Sequence, residues 1–312
     1  MDLASESLRL ALRDVGNDIS SHHLLHYGAS VDGFLVTAKN SGTHGLRFML
    51  SAAIASHHGL PAPTRSSGPE SDVFIGHPRH ARVHSAAPRI GSSHNIPSQM
   101  VGPLVATGLA RLPPTVVLVR DIRQALLSYF VKWRERYALG ELSDFLRRPA
   151  PGKRKIDDVW WFIRFFNAWS ELSRTLGRRV LVVRFEDLQA DPATWVRRIW
   201  AHWGVTLDEA DVAAAVAVSG REAVARNLDP AHGEIIVPDR GARDSVVLSA
   251  DDEAHLTRLF ARHLDGDFGY GLIAPDARRR APPAETGTPR PDRAWPRPAS
   301  PSTARPSAEA SA

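Results

Sequence analysis

The chain has 312 residues, 43% of them hydrophobic, which suits one large α/β domain or two small ones with a substantial core. It contains no cysteine, which excludes disulfides, thiolate catalysis and cysteine-bound metals. The net charge is +5, and the segment from Pro275 to Ala312 carries +3 of it, with seven arginines and four acidic residues. The remainder is nearly balanced, which leaves room for a local anion pocket but does not indicate a broad nucleic-acid surface.

Two further observations concern location. No uninterrupted run of about 18 apolar residues is present, so we expect no integral membrane span. The N-terminal residues Met1 to Glu6 lack the basic and apolar regions of a secretory signal. Together with the absence of cysteine, these features lead us to expect a cytoplasmic protein.

The composition divides the chain into three parts. Residues 1–30 form a predicted N-terminal helical extension, weakly amphipathic from about Leu8 to Leu25. Residues 31–274 form the predicted folded domain. Residues 275–312 are rich in Pro, Ala, Arg, Ser and Thr without periodicity, and we predict a disordered tail.

The stretch from Phe34 to Leu50 gives the first strong signal. Its apolar run Phe34–Val36 is typical of a buried strand, the small residues Ser41–Thr43 follow, and a helix is predicted over about Leu46–His57. This combination can hold a phosphate, because glycine allows close backbone approach and a helix N-terminus is positive, while Lys39 adds a charge. The alternative is an ordinary connection whose serine and threonine cap the helix. The Gly-Lys-Ser/Thr of a Walker A loop is absent.

The next part of the chain is rich in predicted loops. We expect a loop over Leu60–Pro69, a short strand over Val73–Ile75 and a helix over Ser98–Leu109. Three histidines fall within eight residues: His77, His80 and His84. They invite a metal hypothesis, but interleaved arginines and the lack of a nearby carboxylate favour a surface or anion-facing loop. His94 lies in the polar segment Arg89–Pro97.

A second anion-binding feature follows a buried strand. Thr115–Val119 is uniformly apolar and β-branched, as expected for a parallel strand. It leads directly into Arg120, and a helix is predicted to run to about Arg136. An arginine at a strand end and the Ser128 hydroxyl on the following helix make a suitable phosphate clamp.

The later elements continue the alternation of strands and helices. We predict a loop over Ala138–Asp157, a helix over Asp158–Leu176 and a strand over Val180–Val183, followed by Arg184–Leu188. The helix carries aromatic residues at helical spacing: Trp160, Trp161, Phe162, Phe165, Phe166 and Trp169. This stripe is interpreted as core packing, with a substrate wall as the alternative.

Three more helices are predicted. Asp191 caps the first, which has Pro192 at its start and runs to about Trp203, and the others span Asp208–Val218 and Asp251–Leu264. Between the last two lies Gly220–Gly241, an irregular polar segment interpreted as a loop over a site, with Arg240 and Gly241 as anion-binding candidates.

The alternation predicts an α/β fold, a three-layer α/β/α arrangement with a mostly parallel central sheet. In such sheets ligands bind beyond the carboxyl ends of the strands. The small-residue loop, Arg120 and Arg240 are therefore expected on one rim. Two separate phosphate clamps imply a nucleoside ligand with phosphates at both ends.

At this point the chain resembles the P-loop-like sulfotransferase superfamily. Lys39-Asn-Ser-Gly-Thr-His-Gly45 is similar to its Pro-Lys-Ser-Gly-Thr-Thr-Trp loop, and Arg120-Asp-Ile-Arg-Gln-Ala-Leu-Leu-Ser-Tyr-Phe130 to its Arg-(Asn/Asp)-Pro-Arg-Asp-x-x-x-Ser-Tyr-Tyr motif. Arg184-Phe-Glu-Asp-Leu188 resembles Arg-Tyr-Glu-Asp-Leu, and Ser93-His-Asn-Ile-Pro97 resembles Thr-His-Leu-Pro. Asp239-Arg-Gly241 weakly resembles Arg-Lys-Gly. The motifs keep the family order.

The resemblance implies a P-loop NTPase-like sulfotransferase fold and transfer of a sulfuryl group. The implied donor is 3′-phosphoadenosine 5′-phosphosulfate (PAPS), and the implied product is 3′-phosphoadenosine 5′-phosphate (PAP). The acceptor would be a hydroxyl or amine of a small molecule, lipid or carbohydrate. His94 is the implied catalytic base and Lys39 the second catalytic residue, without a metal. The implied donor-binding residues are Lys39, Asn40, Ser41, Gly42, Thr43, His44, Arg120, Ser128, Phe185, Arg240 and Gly241.

Departures from the family pattern keep an alternative open. Asn40 stands where the family has its lysine, and Lys39 lies one residue earlier. Gly45 replaces the tryptophan that often stacks on adenine, so Trp133 or Phe185 would hold adenine instead. The alternative is a catalytically impaired nucleotide-binding protein that acts as a partner-binding module. A kinase-like phosphotransferase is disfavoured because neither a Walker lysine nor a magnesium-holding arrangement is evident.

Overall fold

The computed structural model describes residues 24–147, 158–229, 231 and 246–273. The predicted extension over residues 1–30 lies mostly outside the described residues, and the predicted tail over 275–312 lies wholly outside them. Arg240 and Gly241 also lie outside, so their predicted role stays a prediction.

A five-stranded sheet forms the centre of the domain. Its strands are β1 (Gly33–Thr37), β2 (Ile75–Gly76), β3 (Ile90–Ser93), β4 (Thr115–Val119) and β5 (Val180–Arg184). The spatial order is β2-β3-β1-β4-β5, and every neighbouring pair is parallel. This confirms the predicted parallel sheet. Because β1 is central, the ends of β3 and β4 lie on either side of the loop that follows it.

Helices cover both faces of the sheet. They are α1 (Thr43–His58), α2 (Val101–Ala106), α3 (Ile122–Trp133), α4 (Leu142–Arg147), α5 (Val159–Leu176), α6 (Phe185–Ala190), α7 (Pro192–His202), α8 (Glu209–Ala217), α9 (Arg221–Arg226) and α10 (Ala250–His263). Among these helices none is both long and apolar enough to cross a bilayer.

Alternating strand residues point into two separate cores, as the period of a strand requires. Phe34 and Val36 of β1 pack with α3, α5 and α10, whereas Leu35 packs on the other side with α1 and α7. Val117 and Val116 of β4 divide in the same way. Helices therefore enclose the sheet on two sides, which confirms the three-layer α/β/α architecture.

The aromatic stripe of α5 is mostly core, as interpreted. Phe162, Phe165, Phe166 and Trp169 are fully buried, and Trp160 is nearly so. Trp161 is the exception, because its residue is only half-buried. The helix begins where the Asp158 side chain accepts a hydrogen bond from the Trp161 backbone N–H at 3.0 Å.

Four sequence interpretations were wrong at the level of elements. Ile90–Ser93 was interpreted as a polar segment but is β3, because sheet pairing overrides the low strand preference of glycine and serine. The predicted loops over 138–157 and 220–241 contain α4 and α9. The strand predicted over Val73–Ile75 lies further on, at Ile75–Gly76.

A buried carboxylate joins α1 to α8. Asp211 accepts hydrogen bonds from Ser56 Oγ and His57 Nδ1, both at 2.9 Å, and also from the Asp208 backbone. The Asp211 side chain is fully buried and that of His57 is 4% exposed. These bonds fix the C-terminal end of the helix that begins at the small-residue loop.

A second buried carboxylate joins α4 to α10. Asp252 is 2% exposed and accepts hydrogen bonds from Arg147, Ser143 and Ser249, the last within a capping box. Burial alone would raise the pKa of Asp252, but the hydrogen bonds from Arg147, Ser249 and Ser143 outweigh it and lower the pKa from 3.8 to about 2.

This lowered pKa predicts a pH-dependent contribution to stability. Because the folded pKa of Asp252 lies below its unfolded value, the stabilisation is complete above pH 4 and is lost as the pH falls toward 2. Asp252→Asn should lower the free energy of unfolding by about 2 kcal/mol at pH 7. Denaturant unfolding at pH 7 and at lower pH measures the difference.

Asp251→Asn is the matched control, since the exposed Asp251 lies in the same first turn of α10 and its replacement removes the same charge. An equal effect of the two substitutions, or an Asp252→Asn effect that does not shrink on acidification, would contradict the assignment.

Candidate active site

The loop between β1 and α1 is a tight turn built on two left-handed residues. Asn40 has φ 56° and Gly42 has φ 89°, a conformation that Asn tolerates and Gly adopts freely. Ser41 Oγ donates to the Ala38 carbonyl, which closes the turn. No side chain caps the first turn of α1 at Gly42, so the helix N-terminus keeps backbone N–H groups for an anion.

Phe185 fits against this turn and requires Gly42. A Cβ atom at Gly42 would lie 2.5 Å from Phe185 Cε2, inside van der Waals contact. The Phe185 ring also contacts Arg120, whose guanidinium carbon lies 4.7 Å from the ring centroid. Gly42, Phe185 and Arg120 are thus brought together from three elements, and the ring of Phe185 joins the turn to the arginine.

Arg120 lies at the predicted place beyond β4. It is 7% exposed, and its Nη1 donates to the Asn40 carbonyl at 2.9 Å. The predicted phosphate clamp and the predicted phosphate loop are therefore in direct contact. Ser128 is half-buried on α3. Trp133, considered for adenine, lies at the end of α3 with Lys132 Nζ 4.6 Å from its ring centroid.

His94 follows β3 and lies beside the end of β1. The strand register pairs Val36 with Ser93, so the next residues, Thr37 and His94, come side by side. His94 Nδ1 lies 2.8 Å from the Thr37 carbonyl oxygen and 3.0 Å from Thr37 Oγ1. A carbonyl only accepts, so Nδ1 carries the proton and Nε2 keeps its lone pair. This is the tautomer that a general base at Nε2 requires.

Thr37 also connects His94 to the loop. Its buried Oγ1 lies 2.8 Å from Thr43 Oγ1, in the first residue of α1. If the Thr37 hydroxyl donates to Thr43, the hydrogen of the Thr43 hydroxyl is available to an acceptor in the loop. The sequence analysis missed Thr37, although a threonine that ends an apolar strand run is a visible signal.

Five effects set the pKa of His94, which lies at about 4 instead of 6.5. Desolvation of the ring is the largest cause, and the positive charges of Lys39, Arg47 and Lys132 lower the pKa further, while the bond to the Thr37 carbonyl opposes them. The residue keeps an exposed edge. Water therefore limits the desolvation, and the direction of the shift determines the chemistry: the imidazole is neutral at pH 7.

The surroundings of His44 are similar. Burial, followed by the charges of Arg47, Lys132 and His94, lowers the pKa of His44 to about 4. Arg47 is held in place, because it donates to the carbonyls of Ile75 and Ser71 at 2.9 Å and pairs with Asp72. The turn is consequently bordered by neutral imidazoles and by cations, of which Arg47 is paired with Asp72; neutral imidazoles and a nearby Arg120 suit a phosphate or sulfate group.

Lys39 extends toward α5. Its Nζ lies 5.2 Å from the centroid of the Trp161 ring. Lys39 also lies near enough to His94 to lower the pKa of that residue. The two candidate catalytic residues are therefore neighbours. Trp161 is a further residue of the candidate site, which the sequence analysis had grouped with the core aromatic residues of α5.

The absence of tryptophan at position 45 has a packing explanation. A Cβ atom at Gly45 would lie 3.3 Å from Val224 Cγ2, because α9 packs against the start of α1. Ser66 fixes α9 there, with Oγ donating to the Val224 carbonyl and the backbone N–H to the Asn227 carbonyl, both at 2.8 Å. A side chain at Gly45 would therefore require Val224 to shift by a few tenths of an ångström.

The Arg184–Leu188 element contacts Tyr270, near the last residue that the structure describes. The guanidinium carbon of Arg184 lies 4.3 Å from the ring centroid of Tyr270, and the Tyr270 hydroxyl donates to the Glu186 carboxylate. Burial, with the hydrogen bond to Glu186, raises the pKa of Tyr270. These contacts fix β5 and α6, and through them the position of Phe185.

The histidine-rich segment takes part in surface packing. His80 Nδ1 lies 3.3 Å from an Asp72 carboxylate oxygen, and the ring of His84 stacks on Phe74 at 5.0 Å. Within residues 24–147, 158–229, 231 and 246–273, no group of three or more histidine, aspartate or glutamate residues is arranged to hold a metal ion.

An open cavity of about 290 Å³ lies at the opposite edge of the sheet, before the amino ends of β1, β3 and β4. Asp32, Arg82, Arg89 and Arg111 line it. Arg89 donates to the Ser30 carbonyl at 3.2 Å, and Arg82 to the His84 carbonyl at 3.1 Å. These arginines support the surrounding loops, and the cavity is separate from the candidate active site.

Comparison with known proteins identifies the family. A family model described as the sulfotransferase domain matches residues 31–220, more than half of the chain. The chain therefore belongs to the sulfotransferase domain family. No protein of curated function matches the chain.

Solved structures give weaker likenesses. Mouse sulfotransferase SULT7A1 complexed with PAP has 16% identity and a TM-score of 0.46, covering 81% of this chain and 93% of its own. A sulfotransferase from Alicyclobacillus acidocaldarius has 17% identity and a TM-score of 0.40, covering 74% of this chain and 91% of its own. Retinol dehydratase in complex with androsterone and inactive cofactor PAP has 14% identity and a TM-score of 0.46, covering 76% of this chain and 82% of its own. At TM-scores below 0.5 these likenesses add no argument to the topology and the family match.

The geometry around His94 makes a direct prediction. In protein labelled with nitrogen-15 at histidine, the signals of His94, identified by their loss in His94→Ala, should report a protonated Nδ1 and an unprotonated Nε2 at pH 7. The ring should gain its second proton only well below pH 6.5. A protonated Nε2 at pH 7 would contradict the tautomer deduced from the Thr37 carbonyl.

Proposed function

We propose that this protein transfers a sulfuryl group from PAPS to a hydroxyl or amine acceptor. The observation that carries the proposal is the junction at Thr37, where a histidine with a free Nε2 is joined through threonine hydroxyls to the N-terminal turn of α1. Membership of the sulfotransferase domain family supports the reaction class. PAPS would supply the sulfuryl group and leave as PAP.

The residues present fit a donor with phosphates at both ends. The uncapped turn at Gly42, with Thr43 beside it, suits the 5′ end, since backbone N–H groups and a hydroxyl surround the space where an anion would lie. Arg120 would bind the 3′-phosphate together with Ser128, and Arg240 and Gly241 are proposed to contribute. A guanidinium and a hydroxyl are appropriate partners for a phosphate.

His94 would act as the general base. Its neutral imidazole at pH 7 can take the acceptor proton at Nε2, while the Thr37 carbonyl holds the Nδ1 proton and stabilises the imidazolium that forms. Lys39 would neutralise negative charge on the leaving phosphate. The scheme depends on positioning and charge stabilisation. Lys39 would supply the ammonium in place of a lysine at Asn40, whose carbonyl is bonded to Arg120.

Nucleotide binding provides the first test. Calorimetric titration with PAP should give micromolar binding, and adenosine 5′-monophosphate should bind more weakly because it lacks the 3′-phosphate. Arg120→Ala should weaken PAP binding by about tenfold to a hundredfold, the range for a lost charge-assisted hydrogen bond, and should weaken adenosine 5′-monophosphate binding by a smaller factor, because Arg120 also holds the Asn40 carbonyl of the turn.

Arg123→Ala is the control for that experiment. Arg123 lies three residues further on, and its Nε donates to Glu253 at 2.8 Å, so its removal should not affect either nucleotide. Equal binding of the two nucleotides to the unmodified protein would remove the basis for a PAPS donor.

Turnover tests the role of His94. With radiolabelled PAPS and a panel of phenols, alcohols, sugars and amines, His94→Ala should lower turnover at least about a hundredfold, the contribution of a general base, and leave PAP affinity unchanged. Because desolvation and nearby cations lower the pKa of His94 below 6.5, kcat/KM should stay level as the pH falls from 7 through 6.5 and should fall only at lower pH.

The exposed His26 provides the control, and His26→Ala should retain full turnover. Retained turnover in His94→Ala would disprove the base. PAP binding without transfer to any acceptor in the panel would favour the alternative of a nucleotide-binding module.

A further inference from the structure

We propose that Trp161 is the positioning residue for Lys39, holding its ammonium at the 5′ end of the donor. The inference rests on the proposed function, because it assigns Lys39 to the 5′-phosphate. Its starting point is the displaced lysine of this chain, which lies one residue before the turn position taken by Asn40. A lysine so displaced has a flexible stem and needs a partner to fix its charge.

The indole of Trp161 is one such partner. Lys39 Nζ lies 5.2 Å from its ring centroid, within the range of a cation–π contact. Such a contact attracts the ammonium without neutralising it, whereas a carboxylate would cancel its charge. The contact itself therefore holds the ammonium without opposing its charge, and that charge lowers the pKa of His94.

The platform under Trp161 is rigid. Its ring stacks on Phe165 at 5.1 Å with an angle of 25° between the planes, and Phe165 is fully buried. A second contact with Phe162 is edge-on at 5.1 Å. Trp161 is half-buried, unlike the other aromatics of the stripe, so one part of the ring is anchored in the core while the ring also meets Lys39.

The same helix also holds the segment of His94. The Trp169 indole N–H donates to the Asn95 carbonyl at 3.0 Å, directly beside His94. Trp161 and Trp169 are eight residues apart, which sets them about 80° apart around α5, both within one broad stripe of the helix. One helix thereby sets the positions of both candidate catalytic residues, which gives α5 a function beyond the core packing predicted from its sequence.

The test compares two nucleotides and a double-mutant cycle. PAP carries the 5′-phosphate, and adenosine 3′-monophosphate lacks it. Trp161→Leu should weaken PAP binding about tenfold, the loss of a partly desolvated cation–π contact, and leave adenosine 3′-monophosphate binding unchanged. Trp161→Phe, which keeps an aromatic face, should lose less. In a Lys39→Ala background, Trp161→Leu should cause no further loss.

Trp195→Leu is the matched control. Trp195 is a half-buried tryptophan on α7 with the guanidinium carbon of Arg198 4.3 Å from its ring centroid, and its removal should not change binding of either nucleotide. Thermal unfolding of each variant verifies the fold, and Trp161→Phe preserves the test if Trp161→Leu is unstable.

The outcomes separate the two proposals. If the unmodified protein binds no PAP, the proposed function fails and the inference falls with it. If PAP binds, three results would overturn the inference alone. Trp161→Leu could weaken the binding of both nucleotides equally, or weaken PAP binding just as much in the Lys39→Ala background. It could also leave PAP binding unchanged or make it tighter.

Discussion

Parallel pairing of β1 with β3 and β4 is the constraint on which the candidate site depends. The register sets Thr37 beside His94 on one side and opposite Leu118 on the other, and the Ala38 N–H continues the second pairing to the Leu118 carbonyl at 2.8 Å. Residues that are more than fifty positions apart in the chain thus meet at one edge. A slip by one residue would turn His94 away from Thr37, because strand side chains alternate between faces.

The turn after β1 is held from two directions. At its own position, Asn40 is bonded to Arg120 and Gly42 packs on Phe185. At the far end of α1, Ser56 and His57 are fixed to the buried Asp211 of α8. A helix anchored at both ends keeps its N-terminal N–H groups in one orientation, and such preorganisation is what charge stabilisation in a transferase requires.

The cationic side chains of the site differ in how firmly their contacts hold them. Arg47 and Arg120 are held by backbone carbonyls and neighbouring rings, so their charges are fixed. Lys39 meets the face of an indole, which leaves its charge intact. His94 stays neutral because desolvation of its ring, with the surrounding cations as a smaller cause, lowers its pKa. Transfer of a group from an anionic donor to a hydroxyl acceptor needs this combination of fixed cations and a neutral base.

The sequence by itself determined the architecture and most of the candidate site. Apolar runs gave β1, β4 and β5, the spacing of the aromatic residues gave α5, and the Asp191 cap with Pro192 gave α7, since these signals are local; their alternation gave the three-layer fold. The strand pattern placed Lys39 and Arg120 at strand ends, where topology alone brings side chains together, whereas His94 was identified only by the resemblance of its motif.

Only the tertiary structure decided the contacts between those ends. Sheet pairing made a strand of Ile90–Ser93, whose glycine and serines carry little local preference for one. The bonds of Thr37 to His94 and Thr43, the contact of Lys39 with Trp161 and the packing of Val224 against Gly45 all join residues from different elements. Local patterns cannot specify them, because each depends on register and on the placement of helices over the sheet.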